Sequence, residues 1–293
     1  MGVKRMKIGF IGLGNMGAPM ASNLAQTGHE VYGYDIAAQP PESVRRCTSL
    51  DEVIRDRDIV FTMLPSGESV REVSADIITL MESQKTIVDC STVEYSVAQD
   101  VAQQAQTHQI NFLDAPVSGG SIGATNGTLT FMVGGTLDTF NATKPLFEIM
   151  GSKVVHCGAV GSGQIAKICN NMIVGATMIA TCEAYGLASN LGLDLNILHE
   201  VISQSSGFSW TNNVYCPVPG IGPSSPADND YEPGFAIQLM LKDLKLAQSA
   251  AHSVKLDAVL AAKATEYYQL LSDSGLAEKD FSAVMLRFLN SSD

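Results

Sequence analysis

Short apolar runs recur through the first half of the chain, and longer amphipathic stretches separate them. The runs are Lys7–Ile11 (KIGFI), Glu30–Tyr34 (EVYGY), Asp58–Met63 (DIVFTM), Thr86–Asp89 (TIVD), Asn111–Ala115 (NFLDA), Leu129–Val133 (LTFMV) and Lys153–Cys157 (KVVHC). Apolar runs of this length, spaced by helix-length segments, predict strands of a mostly parallel sheet buried on both faces. After Cys157 the strand pattern stops. Helices are predicted over about 163–191, 194–204, 235–252, 256–274 and 280–290. The helix that opens this half is apolar nearly all round from Ile165 to Ala180, which predicts burial between domains or between subunits.

The turn after the first run reads Gly12-Leu13-Gly14-Asn15-Met16-Gly17, and an Ala/Leu/Asn helix follows to about Gly28. In a strand–turn–helix unit this GxGxxG spacing has a mechanical meaning. Gly12 allows the tight turn, Gly14 lets backbone approach a pyrophosphate, and Gly17 lets helix pack closely on strand. The diphosphate charge then sits at the helix N-terminus. The second run ends in Asp35, near the ~20-residue offset of a ribose-binding acid. Ile36, Ala37 and Ala38 follow, with no Arg to accept a 2′-phosphate, so NAD is favoured over NADP. The alternative for Asp35 is a strand-end turn residue. The predicted fold is α/β: an N-terminal Rossmann-type doubly wound domain, residues 1–162, then an all-α C-terminal domain, residues 163–293, joined by the long helix.

Ligands of open parallel sheets lie outside the carboxyl ends of the strands. This places Leu64 and Pro65, after the third run, and Thr92, after the fourth, beside a cofactor. As turn residues capping the next helices they would have the same neighbours. Ser118-Gly119-Gly120 follows the fifth run, where successive N–H groups could form a nest for a carboxylate. A flexible loop is the alternative there.

At 293 residues and 45% hydrophobic, the chain has enough material for two globular domains. Its formal net charge of −12 argues against nucleic acid and anionic membrane as partners. Six cysteines without a CxxC pair, and five histidines without ligand spacing, predict reduced thiols and no structural metal. Met1 to Arg5 runs straight into a strand, leaving no room for a leader, and the longest apolar run, Met172–Ala180, is too short to span a bilayer. A cytoplasmic protein is expected.

The candidate chemistry centres on Gly161–Asn171 (GSGQIAKICNN), where Lys167 and Asn171 lie four residues apart on one helix face among apolar neighbours. Burial would draw a lysine towards neutrality, as a group that takes and returns protons requires. A lysine whose stem lies on apolar surface and whose head reaches water is the alternative. Between Ser205 and Gly234 an irregular stretch holds five prolines with Phe208, Trp210, Tyr215 and Tyr231, and is expected to wall off the pocket. Lys242 lies early on the helix after it, where the residues alone favour a solvated lysine.

GLGNMG, DAPVSGG…GTLTFMVGG, GSGQIAKICNN and LMLKDLKLA occur in the order seen in the β-hydroxyacid dehydrogenase family, which the chain resembles over essentially its whole length. The resemblance implies Lys167 as the catalytic lysine, Asn171 as a substrate ligand and Ser118, Gly119 and Gly120 as the carboxylate cradle. It places Lys242 beside nicotinamide and substrate, with Asp243 supporting it, and Trp210 on the substrate side. It also implies NAD-dependent oxidation of a small β-hydroxy acid, and the SSGFSW…NNVYCPVPG stretch resembles the branch acting on 3-hydroxyisobutyrate in valine breakdown. Serine, 4-hydroxybutyrate, glyoxylate and tartronate semialdehyde are the nearby substrates. A non-catalytic dinucleotide-binding module is the distant alternative. Family members are homodimers or homotetramers.

Overall fold

The computed structural model describes residues 5–289, so the basic start at 1–4 and the last residue of the predicted final helix, 290, lie outside the described residues. The chain divides into two compact units, Met1–Lys167 and Ile168–Asp293. The first is built on β1 (Lys7–Ile11), α1 (Gly17–Gln26), β2 (Glu30–Tyr34), β3 (Arg45–Arg46), α2 (Leu50–Ile54), β4 (Ile59–Thr62), α3 (Gly67–Leu80), β5 (Thr86–Asp89), α4 (Tyr95–Thr107) and β6 (Asn111–Asp114). It continues through β7 (Val117–Ser118), α5 (Gly120–Asn126), β8 (Leu129–Gly134), α6 (Leu137–Met150) and β9 (Gly151–Gly158). Strands run in the order β3-β2-β1-β4-β5-β6-β8-β7, with β9 paired to β8. The first six are mutually parallel, while β8 runs antiparallel to β6 and β7. This is the doubly wound order, and its direction reverses between β1 and β4.

The strands are apolar on both faces because both are covered. Ile8, Phe10, Phe61, Val88 and Leu113 join one core with α1, α5 and α6. Ile11, Val60, Ile87 and Phe112 join a second core with α2, α3 and α4. Two elements carry no run of the predicted kind. β3 is two exposed arginines, held by pairing with β2 rather than by burial. Its successor α2 is a single capped turn and a half, with Ser49 accepting the Glu52 N–H. The Gly119–Gly120 stretch is not a loose connection: Val117–Ser118 pairs with β8, and α5 starts at Gly120.

α7 (Ser162–Asn190) begins in the first unit and continues into the second, which also holds α8 (Leu195–Gln204), α9 (Trp210–Asn213), α10 (Ile237–Ser253), α11 (Val259–Leu271) and α12 (Leu286–Leu289). The predicted last helix is a 3₁₀ turn, Phe281–Met285, leading into the short α12. Met178, Cys182 and Tyr185 of α7 pack with Ile237, Met240 and Leu244 of α10 and with Tyr268 and Leu271 of α11. The proline-bearing stretch contributes to this packing, since Cys216, Val218, Ile221, Ala227 and Tyr231 lie inside that same core. Side chain to backbone bonds hold it there: Tyr231 donates to the Pro217 carbonyl at 2.9 Å and Ser225 to that of Cys216 at 2.6 Å.

α7 as a whole is long and apolar enough to cross a membrane by length and composition, although its longest uninterrupted run is short. Its buried face carries Gln164, Lys167, Asn171 and Thr181 among the apolar side chains. Ile165, Ile173 and Leu187 project from it exposed.

Candidate active site

The turn after β1 has one crowded glycine at each end and an open one between. A Cβ at Gly12, whose φ is +91°, would run into the Met63 carbonyl, and one at Gly17 would meet the Gly12 carbonyl. At Gly14 a Cβ would find no atom within 4 Å. Steric demand within the chain therefore accounts for Gly12 and Gly17, whereas the space at Gly14 faces outward and is available to a ligand. Met16, the N-cap of α1, makes no side-chain capping bond, and the first turn of α1 holds no acidic residue. Such an end suits an anion. Gly14 and Asn15 are exposed, while Leu13 is buried in the core and contributes its N–H rather than its side chain.

That N–H donates to Asp35 at 2.6 Å, and the Ala37 and Ala38 N–H groups donate to the other carboxylate oxygen at 2.8 Å each. Partial burial works to raise the Asp35 pKa, but the Ala38, Ala37 and Leu13 N–H groups outweigh it and hold the carboxyl below its usual range. Asp35 stands in a cavity of about 410 Å³ lined also by Gly33, Pro40, Arg46 and Thr48. Arg46 supplies a cation to this pocket from outside the 36–38 stretch that directly follows Asp35. Parallel pairing of Gly33 with Arg46 brings it to the same pocket. No apolar periodicity marks a two-residue edge strand, although the Ser49…Glu52 capping signal just after it was legible. The open Gly14, the uncapped α1 and the carboxylate at the end of β2 fit a dinucleotide.

The loops after β4 and β5 are tied together, since Leu64 N–H donates to Ser91 Oγ at 2.8 Å. Pro65 is exposed and Thr92 half-buried. Ser118 ends β7, and Gly119, with φ +129°, turns the chain into α5. Only glycine takes that backbone without strain.

Lys167 is 6% exposed and Asn171 5% exposed, one turn apart on α7, so neither is a solvated surface residue. Within the helical unit, Asn171 Nδ2 donates to Asp243 Oδ2 at 2.6 Å, and Lys242 Nζ lies 3.6 Å from Asp243 Oδ1. Asp243 is 2% exposed. The three residues thus form one chain of contacts around a single buried carboxylate. Trp210 begins α9 and stacks on Tyr215 at 4.7 Å between ring centroids, and Tyr215 stacks in turn on Phe281 at 5.5 Å. Its indole is therefore a wall of the helical unit's own aromatic stack, 45% exposed on its outer side.

The first unit matches the model of the NAD binding domain of 6-phosphogluconate dehydrogenase over residues 7–158. Residues 161–288 match that of the NAD-binding domain of NADP-dependent 3-hydroxyisobutyrate dehydrogenase. The fold and these matches define an NAD-dependent oxidoreductase. A probable 3-hydroxyisobutyrate dehydrogenase of Mycobacterium tuberculosis is 43% identical over 283 residues, covering 95% of this chain and 96% of that one. The mitochondrial 3-hydroxyisobutyrate dehydrogenase of Mus musculus is 42% identical over 285 residues, 94% of this chain and 85% of its own. A structure of the M. tuberculosis enzyme with L-serine superposes with a TM-score of 0.91 at 42% identity, over 97% of this chain and 99% of that one. The chain belongs to the 3-hydroxyisobutyrate dehydrogenase family.

Proposed function

We propose that the chain oxidises (S)-3-hydroxyisobutyrate to methylmalonate semialdehyde in valine catabolism, with Lys167 as general base. The observation that carries this reading is a buried lysine one helical turn from an asparagine whose amide is fixed by a buried carboxylate. Bound NAD supplies the hydride acceptor. Gly12, Gly14 and Gly17 with the N-terminus of α1 would hold its diphosphate, Asp35 its adenosine ribose, and Leu64, Pro65 and Thr92 would lie beside its nicotinamide half. Lys167 Nζ takes the substrate hydroxyl proton as the carbonyl forms, and returns it in the reverse direction. Asn171 Nδ2, already anchored on Asp243, orients the same oxygen. Main-chain N–H groups of the Ser118–Gly120 turn hold the carboxylate, Lys242 attracts it, and Trp210 closes the apolar side. Holding the acid at both ends supplies the proximity on which turnover depends.

The functional boundary on this reading is the start of α7, giving residues 1–162 and 163–293. Exposed Ile165, Ile173 and Leu187 on α7 support a homodimer or homotetramer in which a second copy covers them, and light scattering in solution tests this. An acidic chain whose six cysteines are all free thiols supports a cytoplasmic location.

L-Serine bound in the M. tuberculosis structure favours a second reading, in which a β-hydroxy α-amino acid is the substrate. Initial rates of NAD reduction with 3-hydroxyisobutyrate, L-serine, 4-hydroxybutyrate, tartronate and glycolate separate the two. The proposal requires the highest kcat/KM with 3-hydroxyisobutyrate. No turnover with any acid, alongside intact NADH binding, would leave a binding module.

A further inference from the structure

We propose that Asp114, the first residue of the DAPVSGG segment, is a positioning residue that aims Lys167 by clamping the first turn of α7. The inference rests on the reading of Lys167 as the base. Asp114 ends β6 and is fully buried. Its Oδ1 accepts the Gly161 N–H at 2.7 Å and its Oδ2 the Gln164 N–H at 3.0 Å. One carboxylate thus meets two of the donors that a helix start leaves without helical partners. Gln164 is three residues before Lys167, so the clamped turn directly supports the lysine's own.

The surroundings are built to admit this carboxylate. A Cβ at Gly163 would lie 2.8 Å from Asp114 Oδ2 and 3.0 Å from the Asp114 carbonyl oxygen. A Cβ at Gly134 would lie 2.9 Å from Asp114 Cγ. Gly161 takes a φ of +89° as it presents its N–H. The Gly-Ser-Gly segment that opens α7 is therefore a socket for Asp114 rather than a loose hinge. Gln164 extends the clamp, since its Nε2 donates to the Ser91 carbonyl at 2.8 Å and its Oε1 accepts the Val93 N–H at 3.1 Å. The same helical turn is thereby fixed to the loop that carries Thr92.

Burial pushes the Asp114 carboxyl up, against the Gly161 and Gln164 N–H groups, and nearby Asp89 adds to the rise. A buried carboxylate is a costly way to hold a helix end. Its advantage over asparagine is two acceptor oxygens for two N–H donors, where an amide would set its own NH₂ against one of them. Four residues on from Asp114, at the end of β7, is Ser118, so one short segment carries both the clamp and the candidate carboxylate cradle. The geometry ties amine and cradle to a common support.

The test is a double-mutant cycle in the full chain: wild type, Asp114→Asn, Lys167→Ala and the double variant. Each is assayed for kcat and KM with 3-hydroxyisobutyrate, NADH binding by fluorescence, and Tm. Asp114→Asn is expected to lower kcat about 10- to 100-fold while NADH binding stays unchanged. The double variant should be no slower than Lys167→Ala alone, because the aim of an absent amine cannot matter. A wild-type kcat in Asp114→Asn, or a double variant slowed by the full product of the two single effects, overturns the proposal. Lys167→Ala at wild-type turnover would instead overturn the base assignment, and the inference with it. Should Asp114→Asn fail to fold, Asp114→Glu, which keeps two acceptor oxygens but displaces them by one methylene, takes its place in the same cycle, and a wild-type kcat there overturns the proposal equally.

Discussion

Asn171 and Asp243, 72 positions apart in sequence, meet at 2.6 Å, with the asparagine amide donating to the carboxylate. Both side chains are buried, and the Asn171 oxygen accepts from Asn170 Nδ2 at 3.0 Å. The amide plane is therefore set by protein groups before any ligand arrives. Replacing Asp243 by Ala strands a buried donor, at a cost of about 1–3 kcal/mol. Asp243→Ala should lower the Tm of the chain and also lower kcat, because Asn171 is then free to rotate. Asp243→Asn restores an acceptor oxygen and should recover most of the Tm. Thermal unfolding and steady-state kinetics of the two variants check this, and an Asp243→Ala protein with wild-type Tm and kcat would contradict it.

The three glycines of the first turn should separate into two classes. Gly17→Ala drives a Cβ into the Gly12 carbonyl and to 3.0 Å from Phe10 Cε1, so loss of several kcal/mol of stability is expected. Gly14→Ala meets no protein atom within 4 Å. It should leave stability within about 0.5 kcal/mol of wild type, yet weaken NADH binding where backbone and diphosphate approach. Chemical denaturation and a fluorescence titration read the two effects separately. Equal Tm losses at both positions would mean that Gly14 serves the fold and not a ligand.

What was legible in the sequence follows from this division. The buried strands of the first unit were plain because both sheet faces are covered, so Ile8, Phe10 and Ile11 form one unbroken apolar run. β3 was not, because Arg45 and Arg46 are placed by pairing and bury nothing. The same gap hid Arg46 beside Asp35. The shared buried face of Lys167 and Asn171 is legible from their helical spacing and apolar neighbours, whereas the Asn171–Asp243 bond spans separate helices and has no local signature. The core position of Tyr231 has no local signature because prolines interrupt any periodicity around it, although its hydrogen bond to the Pro217 carbonyl draws it into the core.

Asp35 and Arg46 line one pocket with opposite charges, and cofactor choice should depend on their balance. The folded-state pKa of Asp35 is lowered, so its contribution to stability is complete above its ordinary value of 3.8 and is lost as pH falls through the lower folded value. At neutral pH the carboxylate is charged and repels a 2′-phosphate. Asp35→Ser should reduce the kcat/KM preference for NAD over NADP by about 10- to 100-fold, the worth of one charged hydrogen-bonding group. Adding Arg46→Ala should remove whatever NADP activity was gained. An unchanged cofactor ratio in Asp35→Ser would mean that the ribose is held elsewhere.

On the proposed mechanism Lys167 takes the hydroxyl proton, and its burial makes the consequence of removing it specific. The dinucleotide contacts assigned here lie on other elements, the turn after β1 and the ends of β2, β4 and β5, so Lys167→Ala should leave the NADH dissociation constant unchanged. Loss of a positioned general base costs about 10²- to 10⁴-fold in rate, and the fall should appear in kcat. Lys167→Arg preserves charge and length but cannot release its proton near neutral pH, so it should be no faster than the alanine variant. This comparison distinguishes a base from a cation that merely attracts the substrate carboxylate, since an attracting cation would be rescued by arginine through KM. Near-normal turnover in Lys167→Ala, or rescue of kcat by arginine, would move the proton transfer to another group.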